Sequence, residues 1–112
     1  MRERAWLPNE LIRPALPTMR ALGVSEVARS RVGFLAAWAR ANGDPNQLTT
    51  DKVSGQLWRD RRNNFLARHL AQVEAKGEPL WVDGQPTRRH LALVAWAYTP
   101  NRTRWRTWLE TL

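Results

Sequence analysis

The apolar positions of this chain keep a helical rhythm in its C-terminal half and lose it toward the N-terminus. Trp105, Trp108, Leu109 and Leu112 stand at i, i+3, i+4 and i+7, one stripe of an amphipathic helix that Asn101 or Thr103 can cap. Before it, Leu91, Leu93, Val94, Trp96 and Tyr98 point in nearly every direction around a helix axis. A helix without a polar face is a central one. This one opens at Asp83 or Thr87 and must end before Thr99-Pro100. Trp58, Phe65, Leu66, Leu70 and Val73 share a broad face and predict a helix from Thr50 or Asp51 to Lys76-Gly77, weakened early by Gly55. Ser25 is the cap of a first helix reaching about Asn42, with Val27, Phe34, Leu35, Trp38 and Ala41 as its stripe. Gly43 and Pro45 stop it.

Two stretches resist this pattern. Pro8, Pro14 and Pro17 forbid a long helix over residues 1–23 and predict an arm, strapped to the core by Trp6, Leu11, Ile12, Leu16 and Leu22. Leu22-Gly23-Val24-Ser25 has the turn of a helix-turn-helix, but Pro17, Met19 and Arg29 break the rest of that motif. Leu80-Trp81-Val82 before Asp83-Gly84 could begin a tight turn. No second strand pattern follows, so a loop or isolated bridge is expected near 80–85. The expectation is all-α: a single domain over 1–112, a compact four-helix array with a Pro-rich N-terminal arm.

Composition supports a packed core. The chain has 112 residues, 43% of them hydrophobic, with seven Trp. Each buried Trp removes roughly 150–250 Å² from water, on the order of 4–6 kcal/mol as an upper bound. Most should be internal, Trp96, Trp105 and Trp108 among them. There is no Cys and there are only two His, so no thiolate chemistry or metal set is legible, and no cofactor is implied. No apolar run approaches membrane-spanning length, and no apolar segment follows Arg2 and Arg4. The expected location is the cytoplasm of a bacterium or of a phage-infected cell.

Charge turns the picture toward a partner. The net charge is +8, and sixteen of the eighteen basic side chains are Arg, the residue of forked phosphate and carboxylate contacts. The excess lies in residues 52–76, with six basic against two acidic residues, and in residues 84–109, with five basic and none acidic. Arg88, Arg89, Arg102, Arg104 and Arg106, joined by Arg59 and Arg68, are the candidate contacts to DNA or RNA, beside aromatic rings on which bases could stack. Arg29 and Arg40 are expected to stand apart from that surface.

One constellation could do chemistry. Arg62 and His69, two turns apart, fall in the middle of the apolar face of their helix. There the His could move a proton at a 2′-oxygen while the Arg holds phosphate charge. Arg62-Asn63-Asn64-Phe65-Leu66-Ala67-Arg68-His69 resembles the Arg-(four to six residues)-His motif of HEPN ribonucleases. That resemblance implies a small helical bundle, a homodimer that builds the site, and metal-independent RNA cleavage. Arg68-His69-Leu70-Ala71 also returns as Arg89-His90-Leu91-Ala92. The leading expectation is a non-enzymatic nucleic-acid binder. The alternatives are an adaptor or inhibitor gripping an acidic protein with Trp and Arg anchors, and the ribonuclease.

Overall fold

A computed structural model describes residues 3–112. Five α-helices and one small hairpin build it: α1 Leu16–Leu22, α2 Phe34–Arg40, α3 Trp58–Lys76, β1 Trp81–Val82, β2 Gln85–Pro86, α4 Arg88–Val94 and α5 Arg102–Leu109. The chain is therefore mostly helical, as its patterning predicts. The four-helix array with an extended arm is corrected in four places.

The prolines do not extend the N-terminal segment; they start helices. Pro14 opens a 3₁₀ turn over Arg13–Ala15 and Pro17 lies in the first turn of α1, where a missing N–H leaves nothing unsatisfied. Gly23, at φ +65°, ends α1 in a Schellman turn, with Val24 N–H donating to Met19 O at 2.9 Å. No helix follows it directly. Residues 25–32 form turns, and α2 begins only after Gly33, whose added Cβ would stand 2.1 Å from Val27 O. The backbone folds back too tightly there for any side chain, which ends the helix expected from Ser25. In the same way Gly55, at φ +76°, and a bridge between Thr50 and Leu57 delay α3 to Trp58.

The hairpin is the fourth correction. β1 and β2 pair antiparallel, Trp81 opposite Pro86 and Val82 opposite Gln85. Asp83 and Gly84 both take positive φ, 52° and 74°, the demand of a two-residue type I′ turn. Thr87 then caps α4 by accepting from His90 N–H, and Asn101 caps α5 by accepting from Arg104 N–H, both as the sequence suggests. α4 ends at Val94, short of Thr99, and Ala97 at φ +58° turns the chain toward α5.

Trp38, Trp58, Trp96, Trp105 and Trp108 are buried, and α4 is the central helix, with Leu91, Leu93 and Val94 fully enclosed. The core has two aromatic groups. In the first, His69, Phe65, Trp96, Phe34, Trp38 and Trp6 succeed one another at centroid spacings of 3.9, 4.8, 4.8, 6.2 and 4.9 Å, all nearly parallel. In the second, Trp81, His90, Trp105 and Trp108 pack at tilted or edge-on angles beneath the hairpin. Indole N–H groups bind the N-terminal segment to both: Trp38 donates to Leu7 O at 3.0 Å and Trp105 to Leu11 O at 2.7 Å. Among the described residues no helix is long and apolar enough to cross a membrane.

Candidate functional site

Arg62 is inward, as the helical wheel requires, and fully buried. Its guanidinium meets no carboxylate. It donates to four carbonyls instead: Trp96 O at 2.9 Å, Arg4 O at 3.0 Å, Ala5 O at 2.8 Å and Ala97 O at 2.9 Å. It also lies 3.7 Å over the Trp6 ring. Four of its five N–H bonds are thus fixed, and the side chain stitches the N-terminal segment to the corner between α4 and α5. Burial lowers its pKa to about 10, so it stays charged at neutral pH.

His69 faces elsewhere. It is half-buried, its ring stacked on Phe65, and Arg89 Nη1 lies 2.6 Å from its Nδ1. Arg89 in turn pairs with Glu78 at 2.5 Å. Arg62 and His69 share a helix, but their polar atoms engage different neighbours and do not converge on one space. A metal-independent RNA-cleaving site would need the Arg free to hold phosphate. Here the carbonyls hold it.

The seven arginines expected to contact nucleic acid separate into distinct positions. Arg59 binds Glu3 at 2.8 Å and Asn46 at 3.2 Å. Arg89 is held by Glu78 and His69. Arg88 donates to Leu22 O, and Arg102 donates to Trp6 O at 2.7 Å, on the N-terminal side of the molecule. Arg104 covers the Trp81 ring at 4.4 Å, toward the hairpin. Arg68 and Arg106 are exposed and make no side-chain hydrogen bond among the described residues. The arginines of α5 therefore flank its apolar stripe on two sides, and Arg88 and Arg89 line a different cleft.

A further basic surface escaped the sequence pattern, and it includes Arg40, expected to stand apart as a control. Arg31, Val32, Arg40, Thr49, Thr50, Lys52, Val53 and the edge of Trp58 border a groove of about 350 Å³. Its one carboxylate, Asp51, is buried and engaged by Ser54, the Val53 N–H and Arg61. Those hydrogen bonds hold the Asp51 carboxyl below the usual carboxylate range against its burial. Arg31, Arg40 and Lys52 have no ion-pair partner among the described residues. The signal that could have found this groove is the breakdown of helix at Gly33 and Gly55, which brings Arg31 and Lys52 onto turns beside the end of α2. Across α3, Arg61, Arg68, Asn64, Phe65 and Trp96 border a second groove, of about 550 Å³.

The rings offer little to an unstacked base. Phe65, Trp96, Phe34, Trp38 and Trp6 are stacked on one another, and Arg62 and Arg104 cover Trp6 and Trp81. No group of three or more metal-ligating side chains occurs among the described residues. No family model, curated protein or solved structure matches this chain.

Proposed function

We propose that this protein binds nucleic acid non-enzymatically, through phosphate contacts. The observation that carries the reading is unneutralised basic charge. Against a net charge of +8, the described residues make three ion pairs, at Arg59, Arg61 and Arg89. Exposed cations without carboxylate partners favour a polyanion and release its counterions on contact. The engaged aromatic rings favour backbone contact over base stacking. The groove of Arg31, Arg40 and Lys52 is its centre, with Arg68, Arg104 and Arg106 as outlying contacts.

Fluorescence anisotropy with unrelated duplexes and single strands across a salt series tests the reading. Three phosphates at the groove give log affinity a slope of about −3 against log salt on duplex. Arg40→Ala flattens that slope by about one unit for every sequence, because a phosphate contact carries no base information. Arg29→Ala does little, since Arg29 Nε is held by Val24 O at 2.7 Å. Absence of binding to DNA and RNA at low salt overturns the proposal.

A specific observation favours a second reading, a protein-interaction module. Val32 and Val53, 64% and 77% exposed, border the same groove, so an acidic partner with apolar side chains would also fit it. The anchors would then be valine and arginine; no Trp is among the exposed large apolar residues. That reading predicts no nucleic-acid binding, with Val53→Asp and Arg40→Glu each weakening a protein complex.

A further inference from the structure

The cleft that holds His69 has a different construction from the groove just described. Gly23, Val24 and Ser25 from the turn after α1, His69 from α3, Glu78, and Arg88, Arg89 and Ala92 from α4 border a shallow, open depression of about 370 Å³. Three segments distant in sequence supply its polar groups. We propose that this cleft binds a phosphate monoester, at Arg88, His69 and Ser25.

The donor set follows from the contacts. A guanidinium has no lone pair, so Arg89 must donate to His69 Nδ1, 2.6 Å away. The neutral ring then carries its proton on Nε2, which makes no hydrogen bond among the described residues. Glu78 fixes the other edge of Arg89 at 2.5 and 3.4 Å, so the imidazole is held from behind by a carboxylate–guanidinium pair. Burial first, then the charges of Arg89 and Arg68, hold the ring below its ordinary pKa, which keeps it a neutral Nε2–H donor at pH 7. Arg88 is exposed and lines this cleft; its Nη1 donates to Leu22 O, and its other N–H groups make no hydrogen bond among the described residues. Ser25 stands in the left-handed region at φ +56°, and its hydroxyl makes no hydrogen bond among the described residues.

The charges decide the ligand. Glu78 neutralises Arg89, and Arg88 is left as the surplus cation of the cleft. A bare carboxylate would use one or two of the donors. A phosphate monoester has three terminal oxygens and can take guanidinium, imidazole N–H and hydroxyl together. Such a group arises either at the end of a nucleic-acid strand or on a small metabolite. The inference does not depend on the groove of Arg31, Arg40 and Lys52.

Inorganic phosphate titrated into the whole protein, read from the His69 ring signals by NMR, is the direct test. Phosphate should shift the His69 resonances and leave those of His90 in place. Arg88→Ala, a change on the surface, should weaken phosphate by about tenfold, the loss of one charge-assisted contact. Ser25→Gly keeps the backbone conformation and removes the hydroxyl, and should weaken binding less. His69→Phe keeps a ring stacked on Phe65 and, followed at the Ser25 backbone amide in place of the lost imidazole signal, should abolish the preference for phosphate over chloride. A 5′-phosphorylated oligonucleotide binding more tightly than its 5′-hydroxyl twin assigns the group to strand ends. A nucleoside monophosphate matching that affinity assigns it to small molecules. An unmoved His69 signal at saturating phosphate, or a shift that survives Arg88→Ala unchanged, overturns the proposal. The two overturning outcomes are read at His69 with inorganic phosphate, so they are independent of whether the groove binds nucleic acid.

Discussion

The same four residues, Arg-His-Leu-Ala, occur at 68–71 and at 89–92, and the protein treats them in opposite ways. At the first, Arg68 is exposed and His69 half-exposed at the end of an aromatic stack. At the second, His90 and Leu91 are wholly buried. His90 donates from Nδ1 to Leu80 O at 3.1 Å, and its Nε2 accepts from the Thr99 hydroxyl at 2.8 Å, so both ring nitrogens are satisfied inside the fold. It lies between Trp81, at 4.9 Å, and Trp105, at 5.2 Å. One imidazole links the hairpin to the turn before α5. The other is held by Arg89, the first residue of the second Arg-His-Leu-Ala. Identical local sequence thus gives a core strut in one place and a half-exposed ring in the other, and burial together with remote hydrogen-bond partners makes the difference.

The largest test of this contrast is removal of the buried ring. His90→Ala opens a cavity under the hairpin and leaves Leu80 O and Thr99 Oγ1 without partners. It should cost about 3–5 kcal/mol in urea unfolding, a large share of a small domain's stability. If His90→Ala proves no worse than His69→Ala, the contrast is broken.

Acid should produce the next largest effect. Burial first holds His90 at a pKa of about 4, against 6.5 when unfolded. Above pH 6.5 both states carry a neutral ring and the group contributes nothing to pH dependence. As pH falls through 6.5 toward 4 only the unfolded chain takes up the proton, so stability drops, by about 3 kcal/mol across that window. The loss is complete below the folded value. His69, also lowered, adds in the same direction. Glu3, held at about 2 by its bonds to Arg59 against 4.5 when unfolded, adds its loss as pH falls from about 4.5 toward 2, so a part of it is already present at pH 4. Unfolding curves at pH 7 and pH 4 measure the sum. His90→Gln should remove most of the difference, whereas His69→Gln should keep it.

His69→Ala comes third. It removes a half-exposed ring, one contact to Arg89 and one stack on Phe65, and should cost about 1 kcal/mol. A drop as large as that of His90→Ala would mean that the end of the stack is part of the core. Smallest is Arg89→Ala. Its ion pair with Glu78 is partly exposed and adds at most about 1 kcal/mol. Its loss should nevertheless raise the His69 pKa in an NMR titration, because a neighbouring positive charge is gone, and leave His90 unmoved.

Elements whose signal is local are legible in the residues themselves. The Trp105–Leu109 stripe with its Asn101 cap, the Thr87 cap, and Gly77 as a C-terminal stop all act within a few residues and appear as expected. The missed elements depend on backbone geometry at single residues. Ser25, expected to cap a helix, sits at positive φ, and Val27, expected in an apolar stripe, is 76% exposed. The hairpin has two residues per strand, too few to show alternation, so only Asp83-Gly84 announced it.

Read alone, the residues establish a helical chain with a tryptophan core, a surplus of arginine and an inward Arg62, whereas His69, expected inward beside it, is half-exposed. Periodicity, capping and composition are properties of neighbouring residues, and they survive without knowledge of what packs where. What each polar side chain does follows from packing between segments remote in the chain. Four carbonyls from two distant segments make Arg62 a structural clamp, and a carboxylate–guanidinium pair fixes the tautomer of His69. A fold-back at Gly33 gathers Arg31, Arg40 and Lys52 around one groove. The reason is physical: whether a guanidinium or imidazole faces water, a carbonyl or a ligand depends on burial and on partners remote in the chain, and spacing along a helix carries neither.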